Sequence, residues 1–321
     1  MRGLVAKILG FFFSTILLSS SVQAADKVRI AFGVGASSVL WPLAYQKGFF
    51  KNEGIDAEVI QMLGTLPIAA LTNGELDYHT VLNPAVRGAI QGLPVRAVAF
   101  FDKGNQWVLV ADSKLKTVTE LRGKTVASGT RGSGPDTAGR RIVKHFGLEP
   151  DKDVKFTPGG SEEGRLVSIQ QGLVDAALIP VPLDLRARKL GLNTLARAHE
   201  IYSYAGGGLV TTTKKIKEKR DEIKRVIKAS IKASQYVKTN ADGTIQVYMA
   251  LRRMDRETAE TSYAFLSKAI NEDGSLPEQG FRLLIEEIRD SIKLSREVSF
   301  DEVSDLSILK EAQRELGIKE K

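Results

Sequence analysis

Residues 128–141 read SGTRGSGPDTAGRR. Gly129, Gly132 and Gly134, with the hydroxyls of Ser128, Thr130 and Ser133, lie between a short apolar run ending at Ala127 and a helix that the pattern opens at about Asp136. Main-chain N–H groups at a strand-to-helix turn can hold an anion or a polar carbonyl. Arg131, inside the loop, offers a countercharge, because a guanidinium matches a carboxylate or sulfonate in two parallel hydrogen bonds. The competing reading is an ordinary turn. A nucleotide site is not supported: the glycines fall as G-x-x-G-x-G rather than G-x-G-x-x-G, and RGKT (122–125) has no glycine five residues before Gly123.

Further segments offer comparable groups. GASSVLW (35–41) carries Ser37, Ser38 and Trp41, LGTL (63–66) carries Gly64 and Thr65, and NPA (83–85) carries Asn83. Each follows an apolar run, and open α/β sheets hold ligands beyond the carboxyl ends of their strands. IPVPLDL (179–185) sets Val181 between two prolines just past another such run. The polar residues could equally be helix caps, and Trp41 either core packing or an apolar pocket wall. Arg165 and Arg186 fall within later helices and are expected at the surface.

Catalysis finds little support. The 321 residues include no cysteine, so a thiol nucleophile and a zinc–thiolate site are excluded. His79, His145 and His199 are too far apart to read as a metal set. Neither a G-x-S-x-G elbow nor an H-E-x-x-H pair occurs. Glu162 and Glu163 are adjacent, do not face one site from a helix, and suit its first turn. The expectation is a binding module with no catalytic residue, metal or cofactor.

The first 24 residues follow another logic. Arg2 and Lys7 precede the apolar run ILGFFFSTILL, and SSSVQA sets Val22 and Ala24 at the small-residue positions before a cut. This is a secretory signal-peptide pattern with cleavage near Ala24. The run is short for a bilayer span, and no cysteine follows to take a lipid. The mature chain is therefore expected in a periplasm. Losing Arg2 and Lys7 lowers the net charge from +8 to +6. The one basic concentration, KKIKEKRDEIKR (214–225), interleaves acids, and Ile216, Ile223, Val226, Ile227 and Ile231 follow near-helical spacing. It reads as the wet face of an amphipathic helix and not as a nucleic-acid surface.

These groups must be positioned by alternating elements. Short apolar strands (KVRIAFG, DAEVIQM, LDYHTVL, PVRAVAFF) alternate with helical segments up to residue 102, and the rhythm restarts at QWVLVAD (106–112) and runs to NTLARA. Alternation of this kind predicts open parallel α/β sheets, here two units of about a hundred residues each. From about Lys215 to Leu316 the pattern is almost wholly helical. ALTNGELDYHTV (70–81) and SIQQGLVDAALI (168–179) echo each other: helix, glycine, two residues, then an aspartate leading into a strand. Asp77 and Asp175 are expected to order those turns. The triple glycine 206–208 is expected where the chain bends between units.

WPLAYQKGFFKNEGIDAEVI (41–60) and GTLPIAALTNGELDYHT (64–80), with LRGKTVA (121–127) and GLVDAALIP (172–180), resemble the nitrate/sulfonate/taurine group of periplasmic solute-binding proteins, relatives of thiamine-pyrimidine-precursor binders. The resemblance spans most of the mature chain. It implies a type II periplasmic binding protein fold, two α/β lobes with a ligand cleft between them. Residues 25–106 and 208–321 would form the first lobe with the C-terminal helices, and 107–207 the second. It also implies a monomer that captures a small organic anion by lobe closure and delivers it to an inner-membrane ABC permease. A ligand-sensing module for a membrane sensor and a pyrimidine-precursor binder are the alternatives.

Overall fold

Among the described residues, ten strands form two sheets of five that repeat one plan. A computed structural model describes residues 25–33, 35–62 and 66–319; the signal-peptide expectation and Gly64 and Thr65 fall outside the described residues. The first sheet contains β1 (Asp26–Phe32), β2 (Ile55–Gln61), β3 (Tyr78–Val81), β4 (Val95–Asp102) and, much later, β10 (Gly207–Thr212), in the order β2-β1-β3-β10-β4. The second contains β5 (Trp107–Ala111), β6 (Thr125–Ser128), β7 (Lys155–Pro158), β8 (Ala176–Pro180) and β9 (Asn193–Arg197), in the order β7-β6-β8-β5-β9.

The sheets are mixed and not purely parallel as expected. β10 runs antiparallel to β3 and β4, and β5 antiparallel to β8 and β9. Both are the strands by which the chain enters from the other lobe, through residues 103–106 and 198–206. No crossover helix returns the chain to the same end there, so the strand arrives from the opposite direction.

The echo between the halves has a structural counterpart. Asp77 Oδ2 accepts the Arg29 N–H at 2.8 Å, while the Asp77 N–H donates to the Arg29 carbonyl at 3.0 Å. Asp175 does the same to Thr125, at 2.8 and 2.9 Å. Each aspartate thus adds a rung to the β1–β3 or β6–β8 ladder, where the sequence suggests only a turn.

The C-terminal helices cover both faces of the first sheet. Helix Arg220–Thr239 lays Ile223, Val226, Ile227 and Ile231 against Val28, Ile30 and Phe50, all buried. Helix Glu278–Ser291 sets Phe281, Leu284, Ile285 and Ile288 against Ala31, Leu82 and Val86 on the other face. Branched and aromatic side chains at helical spacing make each a one-sided stripe whose burial removes it from water. Several cations of the basic run and of the helix that follows it are paired internally, Lys215 with Asp77 and Glu222 at 2.7 and 2.8 Å. Lys224 pairs with Glu315 at 2.7 Å, Lys228 with Glu53 and Glu315 at 3.3 and 3.1 Å, and Arg225 with Asp26 and Asp221. After β1 the chain forms two short helices, Leu40–Gln46 and Phe49–Asn52, divided at Gly48, whose φ of 75° no helix interior accommodates.

The triple glycine serves close approach more than bending. A β-carbon on Gly208 would stand 2.3 Å from the Ala99 carbonyl oxygen on β4, whereas one on Gly206 would meet nothing closer than 3.4 Å. Gly208→Ala should therefore cost about 1–3 kcal/mol, the usual range for overpacking, while Gly206→Ala stays close to wild type; thermal unfolding of the two variants checks the contrast.

His79 lies within β3, 1% exposed, and burial pushes its pKa down to about 4. The unfolded imidazole takes its proton near 6.5, so the stability held by the neutral form is complete above that pH and is lost as pH falls from there toward 4. Replacing His79 by Leu should shrink the stability lost between pH 7 and 4.5 by about 2–3 kcal/mol, read from urea midpoints of variant and wild type.

Candidate functional site

The two crossings and the adjoining strand ends enclose a hollow of about 210 Å³. Gly33, Gly35, Ser37, Ser38 and Trp41 come from the segment after β1, and Thr80 and Val81 from the end of β3. Asp102, Asn105, Gln106 and Trp107 come from the first crossing, and Tyr204 with Gly206–Gly208 from the return. Beyond Gly35 and Gln106, which border both, lies a second hollow of about 610 Å³. Val181, Tyr248 and Met254 give it apolar walls, and Arg186, Lys189, Arg252, Glu162 and Glu163 give it charge.

Positioning in the first hollow is tight. Trp41 is 3% exposed and packs edge-to-face on Phe101, ring centres 5.6 Å apart. It is thus core and pocket wall together. The Ser38 hydroxyl donates to the Gly35 carbonyl at 2.7 Å and accepts from Arg252 Nη2 at 2.7 Å. The Tyr248 hydroxyl donates to the Ala36 carbonyl, so the C-terminal helices fix the loop that carries both serines. Asn105 Oδ1 accepts the Trp107 N–H at 3.1 Å, and Gly104 fits against Ala269, where a β-carbon would clash at 2.4 Å. Asp102 Oδ1 accepts the Gly104 N–H at 2.9 Å. Burial pushes the Asp102 carboxyl up to about 6, against the opposing pull of the Ser37 hydroxyl and that N–H. Ser37 lies close enough to exert that pull without making a hydrogen bond of good geometry.

The glycine loop stands differently from expectation. Helix Gly134–His145 does begin there, but the anion at the loop is its own Asp136, 3% exposed. Asp136 Oδ2 accepts the Gly132 N–H at 2.9 Å, and both carboxylate oxygens accept from Arg140 Nε at 3.0 Å. Ser128, also buried, directs its hydroxyl to the Gly129 carbonyl and, at 3.4 Å, to Asp136. Arg131 pairs with Asp151 at 2.7 Å, is 74% exposed, and with Gly132 lines a separate hollow beside Glu287. As the expected countercharge it is therefore misplaced, because the nearer carboxylate claims it. Thr130 is exposed. Gly134 reaches the first hollow only through its wall, where a β-carbon would stand 3.1 Å from the Trp107 indole nitrogen, while the buried Ser133 hydroxyl packs against Gly129 and does not line the hollow.

Of the other expected residues, Ser37, Ser38 and Trp41 line the first hollow and Val181 the second. Val181 also donates its N–H to the Gln106 carbonyl at 3.0 Å, tying β8 to the crossing. Asn83 sits one step back, facing the Tyr204 hydroxyl. Arg165 is not at the surface: it is 5% exposed, donates to the Leu178 and Gly160 carbonyls at 2.7 and 3.2 Å, and lies 5.9 Å from the Trp107 ring. The residues that sequence reasoning missed include Asn105, Gln106 and Tyr204 in the crossings, Asp102 and Trp107 at the strand ends that flank the first of them, and Thr80 and Val81 at the end of β3. The stretch DKGNQW (102–107), polar and aromatic residues between two apolar strands, was the available signal.

A match to the family model described as NMT1/THI5 like covers residues 41–243, which span both sheets and both crossings. The chain belongs to the NMT1/THI5-like family. Among individual members and structures, it is 25% identical over 272 residues, 81% of each chain, to a protein of Bacillus subtilis (strain 168) assigned as aliphatic sulfonates-binding. It superposes on the periplasmic aliphatic sulphonate binding protein SsuA of Escherichia coli with a TM-score of 0.70 at 16% identity, over 87% of this chain and 92% of that one. The same fold occurs in a mutant of DSZB solved in complex with biphenyl-2-sulfinic acid, TM-score 0.69 at 14% identity, over 91% and 99% of the two chains.

In this NMT1/THI5-like chain the first hollow also connects to a contact between the lobes. The Tyr204 hydroxyl donates to Glu287 Oε2 at 3.0 Å, and Glu287 Oε1 accepts from Arg141 Nε, on the second lobe, at 3.2 Å. Burial raises the Glu287 carboxyl, with Arg141 and the Tyr204 hydroxyl opposing.

The loop's internal satisfaction gives a clear expectation. Asp136→Ala removes the buried carboxylate that holds the Gly132 N–H and Arg140 Nε, and should cost about 2–3 kcal/mol in urea unfolding. Arg131→Ala breaks only an exposed pair and should cost less than about 1 kcal/mol.

Proposed function

We propose that this chain is the solute-binding component of an ATP-driven importer, acting as a monomer in the periplasm after removal of residues 1–24. It captures a small organic anion between its lobes and presents the closed pair to a membrane permease. The observation that carries this reading is the hollow at the crossings, walled by both lobes at once in a member of the NMT1/THI5-like family. The sulfonate-binding assignment of the Bacillus relative points to sulfonates as the first ligands to try. A solute that touches both lobes only when they meet shifts the population toward closure.

Anion capture here does not use the glycine loop, whose amide is already occupied by Asp136. The second hollow supplies the countercharges. Arg186 has no ion-pair partner among the described residues, and Arg252 reaches Ser38 at the boundary between the hollows. Binding is favoured over chemistry because the chain has no cysteine and no histidine lines the first hollow.

Trp41 and Trp107, the only tryptophans in the chain, both line the first hollow. A short alkanesulfonate titrated into the mature protein should therefore change its intrinsic fluorescence, and should raise stability by about 2.7 kcal/mol at a hundred times its dissociation constant. An unchanged spectrum and melting point across millimolar sulfonates and carboxylates would sink the anion reading.

A further inference from the structure

Helix Glu278–Ser291 lays one face on the second crossing. A β-carbon on Gly280 would stand 2.9 Å from the Tyr204 nitrogen and 3.0 Å from the Ala205 nitrogen, and the Gly280 carbonyl accepts the Ala205 N–H at 3.3 Å. Glu287 follows two turns later on the same face of that helix. Its Oε2 accepts from the Tyr204 hydroxyl at 3.0 Å. Tyr204 therefore lies lengthwise along the helix, its main chain at Gly280 and its hydroxyl at Glu287, and the residue lines the first hollow.

The other carboxylate oxygen meets the second lobe. Glu287 Oε1 accepts from Arg141 Nε at 3.2 Å, and Arg141 stands on helix Gly134–His145. The two residues border a hollow of about 610 Å³ between the lobes, with Arg131, Arg140, Arg141 and Lys144 on one side and Glu287 and Asp290 on the other. Arg131 and Arg140 are spent on Asp151 and Asp136 of their own lobe. Arg141 has no ion-pair partner but Glu287 among the described residues. The Glu287 side chain is 17% exposed and that of Arg141 34%, whereas Lys189 and Glu257, which also pair across the lobes, are both more than half exposed. An ion pair in open water contributes little, and a shielded one with charge-assisted hydrogen bonds contributes more.

We propose that Glu287 is a positioning residue that latches the lobes, one oxygen holding Tyr204 in the wall of the first hollow while the other holds Arg141 of the second lobe. A carboxylate engaged at both oxygens is fixed in orientation, so each contact prepares the other. The proposal rests on the reading of that hollow as the solute site and names the residue that couples it to lobe closure.

The chain has no cysteine, so spin labels can be set through cysteines introduced at exposed positions, Asn73 on the first lobe and Gln170 on the second. Pulsed dipolar spectroscopy then reads the distance between the lobes in solute-free mature protein. The chains compared are the wild type, Tyr204→Phe, Arg141→Met, Glu287→Gln and the combined Arg141→Met/Glu287→Gln. Intrinsic emission is the second readout, because Trp41 and Trp107 both line the first hollow. The expected result is a longer distance and a red-shifted emission in each single variant, with the combined variant no longer than the longer of its two singles. Wild-type distances in Arg141→Met or Glu287→Gln overturn the proposal. So does a combined variant whose lengthening is the sum of the two, because the groups then act separately. Wild-type distances in Tyr204→Phe, or unshifted emission in all variants, also overturn it, since the ion pair then acts without the wall. Should Glu287→Gln fail to fold, which its melting curve reports, Arg141→Met and Tyr204→Phe decide. No outcome depends on which solute binds, so the anion reading stands or falls separately.

Discussion

The chain passes between its two sheets twice, and each time it enters the new sheet as an antiparallel strand one place in from the edge. Everything else in the structure depends on that constraint. A strand inserted between two others must have neighbours on both sides, so β10 is held by β3 and β4, and β5 by β8 and β9. The short segments leading into these strands are thereby fixed at the junction of the lobes. Their residues become the floor of the hollow. Gly206–Gly208 keep side chains out of it, and Gly104 lets the first crossing lie against helix Arg256–Ala269.

Electrostatics then divides the molecule into satisfied and unsatisfied groups. Lys224, Arg225 and Lys228 on helix Arg220–Thr239 are neutralised by Asp26, Glu53 and Glu315, which anchors the first strand, an early loop and the last helix to one element. The glycine loop is neutralised by Asp136 and Arg140. Asp102, lining the first hollow, is left without an ionic partner among the described residues; Arg186, beside the second hollow, is also unpaired but is exposed to solvent. Groups that fold the protein have found partners within it. A charge kept unpaired where burial penalises it is the usual mark of a site that waits for a ligand.

The repeated plan of the two sheets suggests why closure can be coupled to binding. Asp77 and Asp175 clamp equivalent strand pairs, so the two lobes repeat one clasp. The chain crosses between the lobes through residues 103–106 and 198–206. Tyr204 belongs to the second of these segments, lines the hollow, and bonds Glu287, which in turn meets Arg141 of the opposite lobe. Tyr204 therefore joins the wall of the hollow to a contact between the lobes.

Much of this was legible without coordinates. Apolar runs of four to eight residues alternating with helical periodicity specify α/β units, because burial on both sheet faces demands that pattern. The helical C-terminal third, the amphipathic stripe of Ile223, Val226, Ile227 and Ile231, and the placing of Ser37, Ser38 and Trp41 beside a cleft were written locally. Three matters were not: the direction of β5 and β10, the capture of Arg131 by Asp151, and the burial of Arg165 under Trp107. Each depends on which distant residue arrives alongside. The loop's glycines announce that main-chain donors are available, but only the packed chain decides whether a ligand or its own Asp136 receives them. Charge type is a property of one residue. Whether that charge is spent or free belongs to the pair, and pairs between remote segments exist only once the fold has formed.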